Sequence, residues 1–391
     1  MRVRQTHWAI LTLLVLAGCD TVTSSSPAGT GRLYITSGAT DEVLLIDPSD
    51  GRTLKTFSLD VRRDDVDEPH GIEVAPDGSH WYATVSHGDP TLWKFELPED
   101  RLVGRVALGT YGAARIGITP DGQRGFIPDY YRSGQGQPSG LAVVDLFNLE
   151  IIARPTICPA PHDAQVDPAG QLVAITCTLS DEIVLLDVES LQEVDRFFVD
   201  AEPGPAGTPR FKPLNLVWSS DGETLYVALH LDGTVRAYDL EGNVLATAAV
   251  GAGPAQIALA PDGVTLVTAN RGDQSVSILD LPALTERQRV PLAGAHPHGV
   301  VIDPADGIAY VTYEGDVQSP GGVVAVELAA GTVLWSVEAG AYTLGVAFVY
   351  TPSDRVRVRT STAGLVPRFN AGIRAAASAV FEAVPALPRR G

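Results

Sequence analysis

Three histidines share a local setting: Pro69-His70-Gly71, Pro161-His162-Asp163 and Pro297-His298-Gly299. Each follows a proline at the head of an apolar run and precedes a turn glycine (Gly78, Gly170, Gly307) by eight or nine residues. Imidazole is a good ligand for zinc, copper or iron, and three imidazoles about one axis leave a coordination position open for water or substrate. His87, His230, Cys177 and Glu314 each close a second apolar run. Where those run ends lie beside the heads of the first runs, five His and one Cys meet. Such a site can hold a transition metal (Cu, Zn or Fe) or a haem and serve an oxidoreductase or a lyase. The alternative is a set of rings that hydrogen-bond neighbouring backbone, on a surface that binds a ligand or a protein. His80 and His296 read as surface or packing residues.

The elements that must position these residues repeat. Pro76-Asp77-Gly78, Pro120-Asp121-Gly122, Pro168-Ala169-Gly170, Ser220-Asp221-Gly222, Pro261-Asp262-Gly263 and Pro304-Ala305-Asp306-Gly307 follow one another at steps of 44, 48, 52, 41 and 43 residues. An alternating apolar run precedes each turn and another follows it. A third run ends in an acid (Asp47, Asp145, Asp187, Asp239, Asp280), and a fourth comes after. Four short strands per repeat of about 45 residues is the arithmetic of a propeller blade. Full units begin near Pro69, Tyr111, Pro161, Pro213, Pro254 and Pro297. The first unit, 32–59, has three strands, and a spare strand at 344–350 completes it. The expectation is an all-β, seven-bladed β-propeller of four-stranded blades, closed by a C-terminal strand and left without an open sheet edge.

In such blades (strands A to D, innermost to outermost) the A–B and C–D turns share one face. The B–C and D–A connections share the other. The long insertions, 60–68, 131–140, 200–212 and 315–322, all belong to the second face, as do the five histidines. Elaborated loops on a rigid scaffold are where binding usually resides. The B–C/D–A face is thus the expected place for a small-molecule or protein partner.

Composition removes other classes. The chain has 391 residues, with 47 Asp and Glu against 28 Lys and Arg, a net charge of −19. Only Lys55, Lys94 and Lys212 are lysines. Residues 31–350 alone carry about −25 and residues 351–391 about +5. So acidic a body is a poor match for a phosphate backbone, and nucleic acid is not the expected partner. A hydrophobic content of 45% excludes a disordered chain, and three cysteines exclude a disulfide-dense scaffold. The nucleophile elbow, the paired-His zinc motif, a complete dinucleotide fingerprint and the phosphate-binding P-loop are all absent from the sequence.

The N-terminus reads as an address. Arg2 and Arg4 precede an apolar run at 8–17, short for a membrane span. The run ends Leu16-Ala17-Gly18-Cys19, which resembles the lipobox of bacterial lipoproteins. That resemblance implies a cleaved leader at 1–18, lipid on Cys19, a flexible tether at 19–30 and a membrane-anchored place in the cell envelope, periplasmic or at the surface. Asp20 resembles the inner-membrane retention signal of enterobacterial lipoproteins. In that oxidising setting the remaining pair, Cys158 and Cys177, suits a disulfide. A ligand set with His162 or a redox pair are the alternatives.

Leu33-Tyr34-Ile35-Thr36-Ser37, Leu225-Tyr226-Val227-Ala228 and the Pro-Asp-Gly turns resemble the YVTN repeat of surface-layer and YncE-like periplasmic proteins. The resemblance covers about 31–350 and implies the propeller. The DNA binding associated with YncE-like proteins conflicts with the acidic body. Beyond it, 351–391 form a basic tail in which Ala-rich 370–384, capped by Asn370, fits a short helix.

Overall fold

The computed structural model describes residues 29–352, apart from 63, 110–111, 131–135, 293 and 316–318. The leader, Cys19, the candidate tail helix and all but the end of the tether lie outside the described residues.

Seven antiparallel sheets form the propeller. The innermost strands are Val346–Pro352 in blade 1, then Pro69–Val74, Gly117–Ile118, Pro161–Val166, Pro213–Trp218, Pro254–Leu259 and His296–Ile302 in blades 2 to 7. Blade 5 is representative, with Leu225–Leu229, Thr234–Tyr238 and Val244–Ala249 outside its inner strand. Each sheet is sandwiched between two neighbours, so middle strands are apolar on both faces. Leu225 to Leu229 are all buried, whereas the outer Arg101–Ala107 is mostly exposed.

The turn motifs act through their acids. Asp77 accepts the amide of Ser79 (2.9 Å), and Asp121 and Asp221 make the same bond two residues on. Gly78 takes φ +68°, the left-handed value that glycine adopts without steric cost. The acids ending the third strands, Asp47, Asp145, Asp187 and Asp239, likewise cap the C–D turns. Part of the negative charge is therefore structural.

Hydrogen bonds from neighbouring hydroxyls, side-chain amides and backbone amides hold Asp47, Asp77, Asp121, Asp145, Asp187, Asp221 and Asp239 below the usual carboxylate range. A folded value below the unfolded one stabilises the protein above about pH 3.9 and is lost as the pH falls through the folded value. The urea midpoint is accordingly expected to drop between about pH 6 and about pH 3. A midpoint unchanged over that range would show that these caps carry no net stability.

Blade 1 is assembled from both ends of the chain, in the order Val346–Pro352, Gly29–Ser37, Glu42–Ile46, Thr53–Ser58. Gly29 pairs with Pro352, so the strand begins two residues inside the segment expected to be tether. Blade 3 also departs from the simple pattern. Its outer strand is split at Arg154-Pro155 into Glu150–Ala153 and Thr156–Pro159, both paired with Pro138–Asp145. Proline cannot donate to a ladder, and the outermost position tolerates it.

Cys158, on that split strand, is bonded to Cys177 at the end of the second strand of blade 4, with a Cα–Cα distance of 5.8 Å. The bond ties blade 3 to blade 4 and leaves neither sulfur as a thiolate for His162 to share. It closes a loop of 19 residues, worth about 3 kcal/mol by chain entropy. The Cys158→Ala/Cys177→Ala variant is expected to lose about that much in urea unfolding.

Candidate functional site

The inner strands of blades 2, 4, 5 and 6 begin at a proline, whose missing N–H costs nothing at the channel edge. The residue ahead of each is left-handed: Glu68 (φ 54°), Ala160 (51°), Lys212 (55°) and Gly253 (64°). Two of these approaches are held by carboxylates, half-buried Asp41 and fully buried Asp181. Asp41 accepts the amides of Asp67 (2.8 Å) and Glu68 (3.1 Å). Asp181 accepts four, from Gly204, Arg210, Phe211 and Lys212, at 2.7–3.1 Å. Asp67 accepts the amides of Val61 and Arg62 and is fully buried. It is a loop staple.

A second device sets the spacing of the heads. A threonine hydroxyl on the second strand donates to a carbonyl at or just before the inner strand of the next blade: Thr84 to Ala114 O (2.5 Å), Thr176 to Leu214 O (3.2 Å) and Thr312 to Leu344 O (2.6 Å). Gly71, Gly299 and Gly345 sit where a Cβ would lie within 2.4–2.8 Å of the adjacent strand or its threonine. Glycine there permits the close approach of the backbones.

The result is a narrow axial cavity lined in part by His70, His162 and His298. The His70 ring centroid lies 6.3 Å from that of His162 and 5.6 Å from that of His298, edge to face with each. Every Nδ1 has a partner. That of His162 donates to Leu214 O (2.7 Å), that of His298 to Leu344 O (3.3 Å), and that of His70 faces Glu68 Oε1 (3.5 Å). Tyr130 packs edge-on against His162 at 4.7 Å. The Nε2 of His70 is buried without a hydrogen-bond partner. Burial, reinforced by the neighbouring imidazoles, holds His162 well below its ordinary value. Burial pushes His298 down to about 4 despite the opposing field of Glu314. Both rings are neutral at pH 7, with Nδ1–H donated and a lone pair left on Nε2.

Below the imidazoles the floor is polar on one side. Arg115 lies between Glu73 (3.3 Å) and Asp163 (3.7 Å). Asp163, Asn215 and Gln256 hold equivalent positions in blades 4, 5 and 6. Each accepts the amide of the next blade's strand, from Leu216 (3.1 Å), Ile257 (3.0 Å) and Val300 (2.8 Å). Asn215 also donates its side-chain amide to Asp163.

The rim is charged. Burial would raise the Glu68 carboxyl, but His70, His87 and His298 around it bring it below its ordinary value. His87 Nε2 stands 3.6 Å from Glu68 Oε2, so one carboxylate joins the His70 and His87 rings. Arg271 and Glu314 form a two-pronged ion pair at 2.8 and 2.6 Å. His230 donates Nδ1–H to Pro254 O (3.2 Å), and His296 to Arg271 O (3.2 Å). Lys212, its ammonium disfavoured by burial and then by Arg271, belongs to the His230 side.

The structure thus brings His70, His162 and His298 together, links His87 through Glu68, and leaves His230 in a separate group with Lys212 and Arg271. Among the described residues no three His, Cys, Asp or Glu side chains stand close enough to hold a metal ion as they are. The axial cavity measures about 20 Å³. A water needs roughly 10–15 Å³ on this measure, so the cavity takes a water or an ion and no porphyrin. Arg115, Asn215, Gln256, Tyr130 and Lys212 were not singled out from sequence. Lys212-Pro213 repeats the setting of Glu68-Pro69, and that repetition was the available signal.

A family model described as "Lactonase, 7-bladed beta-propeller" matches residues 154–319. No curated protein matches the chain. Among solved structures, a putative 6-phosphogluconolactonase from Bacteroides fragilis is similar at 17% identity and a TM-score of 0.64, covering 83% of this chain and 99% of its own. A functionally unknown protein from Desulfotomaculum acetoxidans gives 16%, 0.63, 82% and 99%. Hydrazine synthase of Kuenenia stuttgartiensis gives 16%, 0.61, 75% and 99%. At these identities the likeness is one of fold.

Proposed function

We propose that this propeller is a lipid-anchored protein of the bacterial cell envelope that binds a small ligand at its His-lined mouth. The observation that carries the reading is the asymmetry of the two ends. One end is a set of near-identical Asx-capped turns. The other gathers neutral imidazoles, a partly buried lysine and an ion pair around the axial opening, on loops that buried carboxylates hold in place. Mixed apolar and sparse polar lining in a concavity is what small-ligand sites present. The axial cavity admits only one small group of that ligand, so its body rests on the rim.

The anchor and the ligand are tested separately. Fatty-acid labelling in a bacterial host is expected to mark the wild-type chain and not Cys19→Ser. A thermal-shift panel of organic acids, sugar acids and lactones is expected to yield a ligand whose stabilisation falls at least tenfold in apparent affinity in Lys212→Ala. Stabilisers that all act equally on that variant would remove the rim from the site.

A second reading, lactone hydrolysis, is favoured by the family match. The matched span contains His162, Lys212, His230, Arg271 and His298. A neutral imidazole can take a proton from water as it adds to the lactone carbonyl, and a cation can stabilise the oxyanion. The acyl–oxygen bond then breaks to give a hydroxy acid. Titration of acid release from sugar lactones separates the readings: acceleration lost in His298→Gln favours hydrolysis, and a rate equal to buffer leaves binding alone.

A further inference from the structure

We infer that Lys212 is a nucleophilic amine that captures a small aldehyde or ketone at the mouth as an imine, with His230 moving the proton. This deepens the binding reading above, on which it rests, by naming the ligand as a carbonyl compound.

The three lysines of the chain are held differently. Lys55 lies 3.6 Å from the Asp100 carboxylate and over the Phe57 ring. Lys94 is buried and donates to Leu146 O at 2.7 Å. Lys212 is pinned through its backbone instead. Its φ is 55°, its amide goes to Asp181 (2.8 Å), and its carbonyl accepts the amide of His230 (3.1 Å). Among the described residues no carboxylate or carbonyl pairs with its ammonium. An unpaired lysine is out of place in a body that carries about −25, unless its nitrogen is kept free for a ligand.

The surroundings favour the free amine. Burial and then Arg271 disfavour the ammonium, and the Arg271 charge is itself fixed by Glu314. Desolvation and a cationic neighbour are the two conditions that activate a lysine nucleophile. An ordinary lysine, at about 10.4, keeps fewer than about one amine in a thousand free at pH 7. His230 gives Nδ1–H to Pro254 O, which leaves the lone pair on Nε2. Burial and then Lys212 lower it, so the ring is neutral at pH 7. His162, which also lies in the field of Lys212, is neutral as well.

The step balances without a redox partner. The Lys212 nitrogen pair adds to the carbonyl carbon, and the carbonyl π pair moves to oxygen. The nitrogen passes its proton to His230, which returns it to the departing hydroxyl. Water leaves as the C=N bond forms, and hydrolysis reverses each step.

The test uses the full chain purified in detergent, treated at pH 7 with glyoxylate and cyanoborohydride, which reduces an imine to a stable carboxymethyl-amine. Peptide mass mapping places the label. Lys212 is expected to react at least tenfold faster than Lys55, and Lys94 to stay unmodified while the protein is folded. His230→Gln is expected to slow the Lys212 reaction at least fivefold. Lys212→Arg keeps the positive charge and should melt as the wild type does, with the fast label gone. Lys212 reacting no faster than Lys55, or a fast label that survives Lys212→Arg, overturns the inference. If the imine fails while ligands of the thermal-shift panel still weaken tenfold in Lys212→Ala, the binding reading stands and the chemistry falls. Failure of both removes the two together.

Discussion

Truncation after Gly345 is expected to abolish the cooperative unfolding transition and to yield an associating, partly ordered chain. The lost strand, Val346–Pro352, makes seven register pairs with Gly29–Ser37. Its side chains face both neighbouring blades. Ala347 joins the cluster around Trp81 and Phe95, while Val346 and Phe348 join that around Tyr310 and Val323. Tyr350 donates to Asp303 at 2.8 Å. Each large apolar side chain contributes about 1.5–3 kcal/mol when buried, and the whole fold is stable by about 5–15 kcal/mol. The deletion also exposes Gly29–Ser37 as a bare edge, ready to pair with another chain. Urea unfolding followed by circular dichroism, with light scattering for association, checks both parts. A chain ending at Ser353 keeps the strand and is the control. A sharp, monomeric transition in the shorter chain would mean that ring closure is dispensable.

Replacing Asp100 by alanine is expected to cost about 3–5 kcal/mol, the range for breaking a buried ion pair from one side. Asp100 sits in the C–D turn of blade 2 and is only 7% exposed. It accepts hydrogen bonds from Arg32 (2.5 Å), Tyr34 (2.6 Å) and Trp81 Nε1 (3.1 Å), with Lys55 at 3.6 Å. Arg32, Tyr34 and Lys55 belong to blade 1, so the carboxylate joins the closing blade to its neighbour. Burial and then Asp100 itself raise the Tyr34 phenol, which remains a protonated donor. Alanine leaves these donors facing one another without an acceptor. Asp100→Asn keeps an acceptor and tolerates the left-handed φ of 55°. Its loss should be smaller, about 1–3 kcal/mol. Equal losses for the two variants in urea unfolding would show that the charge, not the acceptor, is what matters.

The blade count, the four strands per blade and the closing strand were all legible in the sequence. They arise from local physics: period-two burial and a turn whose aspartate bonds an amide two residues away. Those causes act within a dozen residues, so the chain spells them out repeat by repeat. One departure has a local cause, since Pro155 splits the outer strand of blade 3. The other does not: Gly29 joins the sheet by pairing with Pro352 from the far end of the propeller segment.

The contents of the channel were legible only in part. That His70, His162 and His298 head their strands on one face followed from the repeat. That the His70 ring comes within 5.6 Å of His298 and 6.3 Å of His162 did not. The Asp163–Asn215–Gln256 series, Arg115 between two carboxylates and the orphan Nε2 of His70 were likewise silent in the sequence. Sequence by itself determined the repeat, its turns and the face on which the histidines stand, because neighbours along the chain decide those. Tertiary structure alone decided which side chains from seven separated strands share the axis. Ring radius and strand approach set that outcome, through residues 38 to 309 positions apart, such as Thr176 with Leu214 O or Gly345 with Thr36.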